Sequence, residues 1–160
     1  MPLTSTQVRS PVGLLTLVAS DHGLVAILWP DDPPGRVRLD GATPAPDHPL
    51  LREAERQLGE YFAGRRTEFE LPLDPGGTPF QQKVWTALRS IPFGETRTYA
   101  ELAAQIGHPG AARAVGAASG RNPLSIVAPC HRVVGARGEL TGFAGGLEVK
   151  ARLLAFERAG

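Results

Sequence analysis

Apolar and polar residues follow a helical period in the second half of the chain, whereas the first half alternates short apolar runs with turn residues. Residues 12–19 and 24–29 are rich in leucine, valine and isoleucine, and the Ser-Asp-His-Gly segment at 20–23 favours a tight turn between them. This pattern predicts a β-hairpin. Residues 30–46 are rich in proline, glycine and aspartate without periodicity, which predicts a surface loop.

One amphipathic helix and one more strand complete the predicted first half. Asp47 is a candidate N-cap for a helix that runs to about Phe62, because apolar residues recur on one face over that stretch. Gly64 would end this helix. Apolar residues alternate with polar ones at 69–73, which predicts a short strand. Residues 1–72 contain no catalytic constellation, so we expect them to support the rest of the chain.

The second half contains repeated signals for the starts of helices. Thr78-Pro79-Phe80-Gln81 and Thr98-Tyr99-Ala100-Glu101 both have the pattern of a capping box. A sharp turn at 107–110 leads into a third predicted helix at 111–119. The helix that starts at the second capping box and this third helix form a helix-turn-helix pattern. The glycine-bearing turn at 135–138, flanked by apolar residues at 133–134 and 139–140, predicts a wing-like hairpin.

The final segment predicts an amphipathic helix at 147–158 with Leu147, Ala151 and Leu154 on its inner face. The predicted fold class is therefore α+β. Residues 1–72 would form a small antiparallel sheet with a helix, residues 73–77 a linker, and residues 78–160 a mainly helical domain of the winged helix-turn-helix type.

The composition is that of a globular protein, and the charge is distributed unevenly along the chain. The chain has 160 residues, of which 42% are hydrophobic and 21% charged, as in ordinary globular proteins, and no apolar run reaches membrane-spanning length. The net charge of +1 conceals an asymmetry, because residues 1–77 carry 7 Lys and Arg against 11 Asp and Glu, and residues 78–160 carry 10 against 5. The basic half could bind a polyanion or simply have a solubilising surface, and charge alone leaves both readings open.

The only cysteine, Cys130, lies between an apolar run and the polar pair His131-Arg132. A neighbouring base or positive charge converts a thiol into the nucleophilic thiolate, and Pro129 stiffens the approach to the sulfur. The alternative is a small buried hydrophobe. One cysteine excludes an internal disulfide and a multi-thiolate zinc site, and the four histidines show no ligand spacing. We expect an exposed reactive thiol in a reducing cytoplasm, with no metal and no cofactor.

The sequence Pro129-Cys130-His131-Arg132-Val133 resembles the active-site signature of the O6-alkylguanine-DNA alkyltransferases of bacterial type. Matching motifs occur in the family's order across the second half of the chain, at residues 78–81, 84–85, 99, 112–116, 122–123, 145–146 and 157. The resemblance implies DNA repair by direct reversal. The alkyl group of an O6-alkylguanine in double-stranded DNA would be transferred irreversibly to Cys130, one group per protein molecule.

The resemblance also implies roles for individual residues. Cys130 would accept the alkyl group, His131 would act as its base through a water molecule, and Glu157 would orient the imidazole. Tyr99 would bond to guanine N3 and donate a proton to the leaving base. Asn122 would brace the turn that carries the cysteine. The residues expected to bind the substrate base are Val133, Phe143, Ala144 and Ser119, of which Phe143 stands where a tyrosine is usual.

DNA contact is expected from the third helix, which is almost without side-chain bulk. Its alanines and glycines could serve close packing against another helix, but Arg113 projects one long cation from this smooth surface. By the resemblance, the helix enters the minor groove and Arg113 fills the gap left by a flipped-out nucleotide, while Ala112 and Gly116 permit the approach. We expect a monomer in solution and no membrane partner. Repair of O4-alkylthymine, the accepted alkyl size and cooperative assembly on DNA stay open.

Three other classes are consistent with parts of this pattern. An alkyltransferase-like protein would bind the lesion without accepting the group, but those proteins have tryptophan where this chain has Cys130. A winged-helix regulator should carry several Asn, Gln or Arg residues for base edges, and the third helix has only Arg113. A cysteine hydrolase would need an oxyanion site, for which the sequence offers no signal.

Overall fold

The computed structural model of the protein describes residues 2–37, 39 and 41–159, so residues 38 and 40 of the predicted loop lie outside the described residues. The fold is α+β, which confirms the predicted class. The chain divides into two compact units, with the boundary between Gly76 and Gly77. None of the helices in the described ranges is both long and apolar enough to cross a membrane.

The first unit contains a four-stranded sheet and one helix. Its strands are β1 (Thr4–Ser10), β2 (Gly13–Ala19), β3 (Leu24–Leu28) and β4 (Thr43–Pro44). Their order in the sheet is β3-β2-β1-β4. The predicted hairpin is present as the antiparallel pair β2–β3, but β4 runs parallel to β1, so the sheet is mixed and not purely antiparallel.

Strand β1 was not predicted, because most of its residues are polar. Only Val8 is buried among its seven residues, so the apolar signal is weak. β-Branched residues nevertheless alternate at Thr4, Thr6 and Val8, and this is the sequence signal that could have found the strand. The backbone of β1 pairs with β2 along its whole length, from Thr4↔Ala19 to Ser10↔Gly13.

Two segments of the first unit differ from the prediction. The predicted surface loop at 30–46 contributes Val37, Leu39 and Ala42, which pack against buried residues of β2 and β3, so it closes part of the core. The predicted strand at 69–73 is absent and is replaced by a single bridge between Leu24 and Leu73. Its alternating residues lie in an extended segment that pairs with β3 only at its end.

Helix α1 (Pro49–Phe62) lies where the apolar period predicted it, but its N-cap is His48 and not Asp47. The backbone N–H of Leu50 donates to Nδ1 of His48 at 3.2 Å. Proline at the first helical position has no N–H to satisfy, so the imidazole cap completes the helix start. The predicted end at Phe62 is correct, and Gly64 follows with a φ of 76°.

The second unit is mainly helical. It consists of α2 (Pro79–Arg89), β5 (Arg97–Thr98), α3 (Tyr99–Gln105), α4 (Ala112–Gly120), β6 (Val133–Val134) and α5 (Leu147–Ala159). Both predicted capping boxes are present, at the starts of α2 and α3. Helix α4 packs against α2 and α3, and Nε1 of Trp85 on α2 donates to the carbonyl of Ala118 on α4 at 2.8 Å.

The predicted wing hairpin is wrong in its pairing. β6 pairs in parallel with β5, with Arg97 opposite Val133 and Thr98 opposite Val134, whereas residues 139–140 form no strand. The turn itself is closed by a 2.9 Å hydrogen bond from the N–H of Gly135 to the carbonyl of Glu139. The β5–β6 pairing brings the start of α3 beside the segment that follows Cys130.

The inner face of α5 also differs from the prediction. Leu147 is 48% exposed and Ala151 is exposed, and of the three predicted inner residues only Leu154 is buried. The buried face is made by Lys150, Leu153, Leu154 and Glu157. Their spacing of 3, 4 and 7 residues is that of one helical face. Two ionisable groups, Lys150 and Glu157, therefore lie on the buried face of α5, which the apolar pattern had placed elsewhere on the helix.

Candidate active site

Cys130 begins a single 3₁₀ turn, Cys130–Arg132, which runs directly into β6. Pro129 precedes it with a φ of −78°, which the proline ring favours. Cys130 is only 9% exposed, so the expectation of an exposed thiol is wrong. The sulfur is not surrounded by hydrocarbon alone, because His131 and Arg132 of the same turn are buried with it.

The loop that leads to this turn is braced by the fully buried side chain of Asn122. Nδ2 of Asn122 donates to the carbonyl of Ala128 at 2.7 Å, and the N–H of Leu124 donates to Oδ1 at 3.0 Å. Between these anchors Ile126 has a φ of 74°, a left-handed conformation that costs a β-branched residue about 1–3 kcal/mol. The amide of Asn122 thus holds a strained loop in one shape.

A buried hydrogen-bond network joins this turn to α5 through Glu157. The carboxylate accepts from Nε and Nη2 of Arg132 at 2.8 and 2.9 Å and bonds Nε2 of His131 at 2.7 Å. Nη1 of Arg132 donates to the carbonyl of Ile91 at 2.7 Å. A carboxylate paired with a guanidinium is an acceptor, so Nε2 of His131 carries the proton and Nδ1 keeps its lone pair. Nδ1 is buried and has no hydrogen-bond partner within the described part of the chain.

The imidazole of His131 is held neutral. Burial lowers its pKa below the usual 6.5, and the positive charges of Arg132 and Lys150 act in the same direction. The hydrogen bond and the negative charge of Glu157 raise the pKa of His131 but do not overcome the effect of burial. A neutral imidazole with a free lone pair at Nδ1 can accept a proton.

The lowered pKa of His131 predicts a loss of stability in acid. Between the lowered pKa and 6.5 the unfolded chain binds a proton at this residue that the folded protein does not. The free energy of unfolding should therefore fall as the pH drops through this window, by up to about 1.4 kcal/mol per pH unit. Urea unfolding from about pH 7.5 down to about pH 5 measures this slope.

The slope should be smaller in His131→Gln and unchanged in the control His108→Gln, whose residue is exposed. An equal slope in wild type and His131→Gln would contradict a neutral buried imidazole.

Lys150 is a component of the site that the sequence analysis missed. It is fully buried, and its ammonium donates to the carbonyl of Thr141 at 3.4 Å and lies 6.0 Å from the ring centroid of Phe143. Burial lowers its pKa, and the negative charge of the Cys130 thiolate opposes this. Lys150 precedes Glu157 by seven residues, which is two helical turns, so the two side chains lie on the same face of the helix. This spacing is the sequence signal that could have identified Lys150.

The buried charges of this cluster do not balance without the cysteine. Among the described residues, the buried ionic groups are two cations, Arg132 and Lys150, and one carboxylate, Glu157. A low-dielectric interior penalises uncompensated charge. Ionisation of Cys130 would supply the missing negative charge, and a nearby cation is the usual device that favours a thiolate.

Tyr99 lies at the first position of α3 and links this cluster to α4. Its hydroxyl is 2.5 Å from Oγ1 of Thr141, in the segment between β6 and α5. A Cβ added at Gly116 of α4 would meet the Tyr99 ring at 3.7 Å, so the helix backbone passes close to the ring. The pairing of β5 with β6 thus brings the Tyr99 side chain and helix α4 into the same region of the second unit as the cysteine turn.

The remaining predicted residues belong to the same unit. Val133 is buried in β6 and Ser119 is buried on α4, while Phe143, Ala144 and Ala112 are half-buried. Arg113 is exposed on α4 and forms no ion pair or hydrogen bond with any described residue. No group of three or more potential metal ligands occurs in the described ranges.

Fold and site together describe a helical unit in which the consecutive helices α3 and α4 accompany a buried cysteine–histidine–arginine turn. Two family models match the chain. The model described as "6-O-methylguanine DNA methyltransferase, ribonuclease-like domain" matches residues 4–75, and the one described as "6-O-methylguanine DNA methyltransferase, DNA binding domain" matches residues 79–159. The chain belongs to the 6-O-methylguanine DNA methyltransferase family, which confirms the predicted family.

Individual relatives agree with this assignment. The chain is 54% identical over 153 residues to the methylated-DNA–protein-cysteine methyltransferase of Mycolicibacterium paratuberculosis, covering 94% of this chain and 90% of the relative. The protein of the same name from Mycobacterium bovis is 49% identical over 156 residues, with 95% and 90% covered. The crystal structure of Mycobacterium tuberculosis OGT in complex with DNA superposes with a TM-score of 0.88 at 46% identity, with 99% of this chain and 94% of that chain covered. These names confirm the predicted enzyme class.

Proposed function

We propose that this protein repairs double-stranded DNA by transferring the alkyl group of an O6-alkylguanine to Sγ of Cys130. The observation that carries the proposal is the unbalanced positive charge buried beside the only thiol of a chain of this family. Attack by the thiolate forms an S–C bond and breaks the C–O6 bond, whose electron pair leaves with guanine. A thioether results, and the chain has no second cysteine to reverse it.

His131 would remove the proton from the Cys130 thiol. Its Nδ1 is the atom that can accept a proton, because Nε2 is committed to Glu157 at 2.7 Å. A water molecule between Nδ1 and the thiol would carry that proton, which leaves the thiolate facing Lys150. Glu157 orients the imidazole and Arg132 fixes the carboxylate through two hydrogen bonds. This is the arrangement of a nucleophile, a base and an orienting acid.

DNA would reach the cysteine through α4. An alkyl group on guanine O6 lies inside the base stack, so the nucleotide must leave the duplex before the thiol can reach it. The guanidinium of Arg113 is exposed and has no partner among the described residues, so it would be available to occupy the space that the nucleotide vacates. Ala112 and Gly116 present little bulk on the same helix, which suits the narrow minor groove.

The other residues predicted for the site would complete the reaction. Tyr99 would donate a proton to N3 of the leaving guanine. Val133, Phe143, Ala144 and Ser119 would contact the flipped base, and Asn122 would keep the cysteine loop in its strained shape. Every one of these residues lies in the second unit, so we infer that residues 78–160 carry the reaction and residues 1–72 support it.

A mass measurement tests the proposal. The protein is mixed with a duplex that contains one O6-methylguanine, and both are weighed by mass spectrometry. The protein should gain one methylene at Cys130, and the amount transferred should never exceed the amount of protein. Cys130→Ala should gain nothing while still binding the duplex. Transfer to another residue, or no transfer by the wild type, would contradict the proposal.

The same experiment includes a variant for base flipping. Arg113→Ala should slow transfer from duplex DNA by about tenfold or more, because extrusion of a nucleotide costs a few kcal/mol that the arginine helps to offset. A single-stranded oligonucleotide with the same lesion needs less extrusion and should be affected less. An equal loss on both substrates would indicate that Arg113 contributes only phosphate binding.

A further inference from the structure

Thr141 contacts two groups of the site with different atoms. Its Oγ1 lies 2.5 Å from the hydroxyl of Tyr99, and its carbonyl oxygen accepts from Nζ of Lys150 at 3.4 Å. It lies between β6 and α5 and is half-buried. One residue therefore joins the phenol expected to protonate the leaving base to the cation beside the nucleophile.

We propose that Thr141 is a positioning residue for alkyl transfer, whose hydroxyl orients the Tyr99 proton towards the leaving guanine and bonds to the phenol oxygen as that proton departs. This inference rests on the proposed function, in which Tyr99 donates to guanine N3. It adds a residue that belongs neither to the cysteine motif nor to the predicted base-binding set.

The separation of the two hydroxyls permits both directions of donation. When Tyr99 donates to Thr141, its proton points away from an incoming base. When Thr141 donates to Tyr99 instead, the phenol hydrogen is released for guanine N3. The exchange needs only rotation about two C–O bonds, since the oxygens are already at the short end of the hydrogen-bond range at 2.5 Å.

Donation from Thr141 to Tyr99 assists the proton transfer from Tyr99 to guanine. As the O–H bond of Tyr99 breaks and the N3–H bond of guanine forms, negative charge develops on the phenol oxygen. A hydrogen bond to a charged acceptor is roughly twice as strong as one between neutral groups, so the Thr141 hydroxyl stabilises this state more than the starting state. Water then carries the thiol proton from His131 to the phenolate, so His131 and Tyr99 both return to their neutral forms and the net proton transfer is from the thiol to guanine.

The Tyr99 ring has a second contact besides the threonine hydroxyl. The ring lies against the backbone of α4, where a Cβ at Gly116 would be only 3.7 Å away. The contact of Thr141 with Lys150 uses a backbone carbonyl, which a side-chain substitution leaves in place. Thr141→Val keeps the branched shape and replaces the hydroxyl with a methyl group, whereas Thr141→Ala removes the hydroxyl and leaves its space open.

A double-mutant cycle tests the proposal in the whole protein. Wild type, Thr141→Val, Tyr99→Phe and the double variant are compared with a duplex containing one O6-methylguanine. Three quantities are measured, namely the limiting transfer rate at saturating DNA, the DNA concentration that gives half of that rate, and the melting temperature. Thr141→Val should lower the limiting rate by about tenfold, with little change in the other two quantities.

Two further results are required. Thr141→Ser restores the hydroxyl and should recover most of the rate. On the Tyr99→Phe background, Thr141→Val should change the rate by less than about twofold, because its only partner in the reaction is gone. Thr141→Ala supplies the same comparison if the valine variant folds poorly.

The proposal is overturned if Thr141→Val leaves the rate unchanged, if serine fails to restore it, or if valine slows both backgrounds equally. An equal loss on both backgrounds would place the effect in packing or in the Lys150 contact. Failure of the proposed function gives a different result, because wild type itself would then transfer no alkyl group to Cys130.

Discussion

Glu157→Gln is expected to destabilise the second unit by about 3–5 kcal/mol, the usual cost of removing one partner from a buried ion pair. Glu157 is 2% exposed, and its carboxylate accepts two hydrogen bonds from Arg132 and one from the N–H of Gly94, besides its bond to His131. Glutamine is nearly isosteric but uncharged, so the guanidinium would stay buried without a counter-charge. Its amide NH₂ would also point a donor at another donor.

Alkyl transfer should slow by about a hundredfold or more in the same variant, since a positioned general base contributes a factor of this order. Urea unfolding and the transfer rate measure the two effects. Glu148→Gln is the matched control, because Glu148 lies exposed in the first turn of the same helix and should change stability by less than about 1 kcal/mol. Similar losses in the two variants would argue against a buried pair at Glu157.

Lys150→Met should change stability and rate in opposite directions. The ammonium is fully buried, and its one hydrogen bond to a described residue is the 3.4 Å contact with the Thr141 carbonyl, so it is poorly compensated for the loss of water. Methionine has a similar length and no charge. Its introduction should raise the free energy of unfolding by about 1 kcal/mol, because a buried charge without a partner carboxylate is costly.

The transfer rate of Lys150→Met should fall by about 10- to 100-fold at neutral pH, because an unassisted thiol with a pKa near 8.5 is only a few per cent thiolate. The rate of this variant should then rise about tenfold per pH unit up to about pH 8.5, because the rising pH ionises the thiol without help from the cation. The wild type should be less sensitive to pH over this range.

A pH profile of the single-turnover rate, together with urea unfolding, separates these expectations. Lys83→Met is the control, because Lys83 is the only other lysine in the chain and is exposed on α2. A variant that loses stability, or whose rate does not recover with pH, would contradict the assignment of Lys150 as the group that favours the thiolate.

Local signals account for what could be predicted reliably. The two capping boxes, the apolar period of α1 and the hairpin of β2 and β3 all depend on residues a few positions apart, so the sequence determines them directly. The cysteine motif is equally local, because Cys130, His131 and Arg132 share one 3₁₀ turn. The resemblance to the family added Glu157, which lies 26 residues from His131 and yet only 2.7 Å away in the structure.

Longer-range pairing decided what the sequence left open or predicted wrongly. β1 is polar and is a strand because β2 supplies its hydrogen bonds. β6 lies beside β5 and not beside residues 139–140, which brings Tyr99 to the cysteine segment.

The sequence by itself determined the helices, the candidate nucleophile and the family of this protein, because those follow from residue type and short spacing. Only the tertiary structure decided which ionisable side chains are buried together and in which direction their pKa values shift. The inner face of α5 is set by docking onto the cysteine turn, where Glu157 pairs with Arg132 and Lys150 lies close to Cys130. Burial and charge balance depend on which groups share an interior, and residues distant in sequence come together there only when the chain has folded.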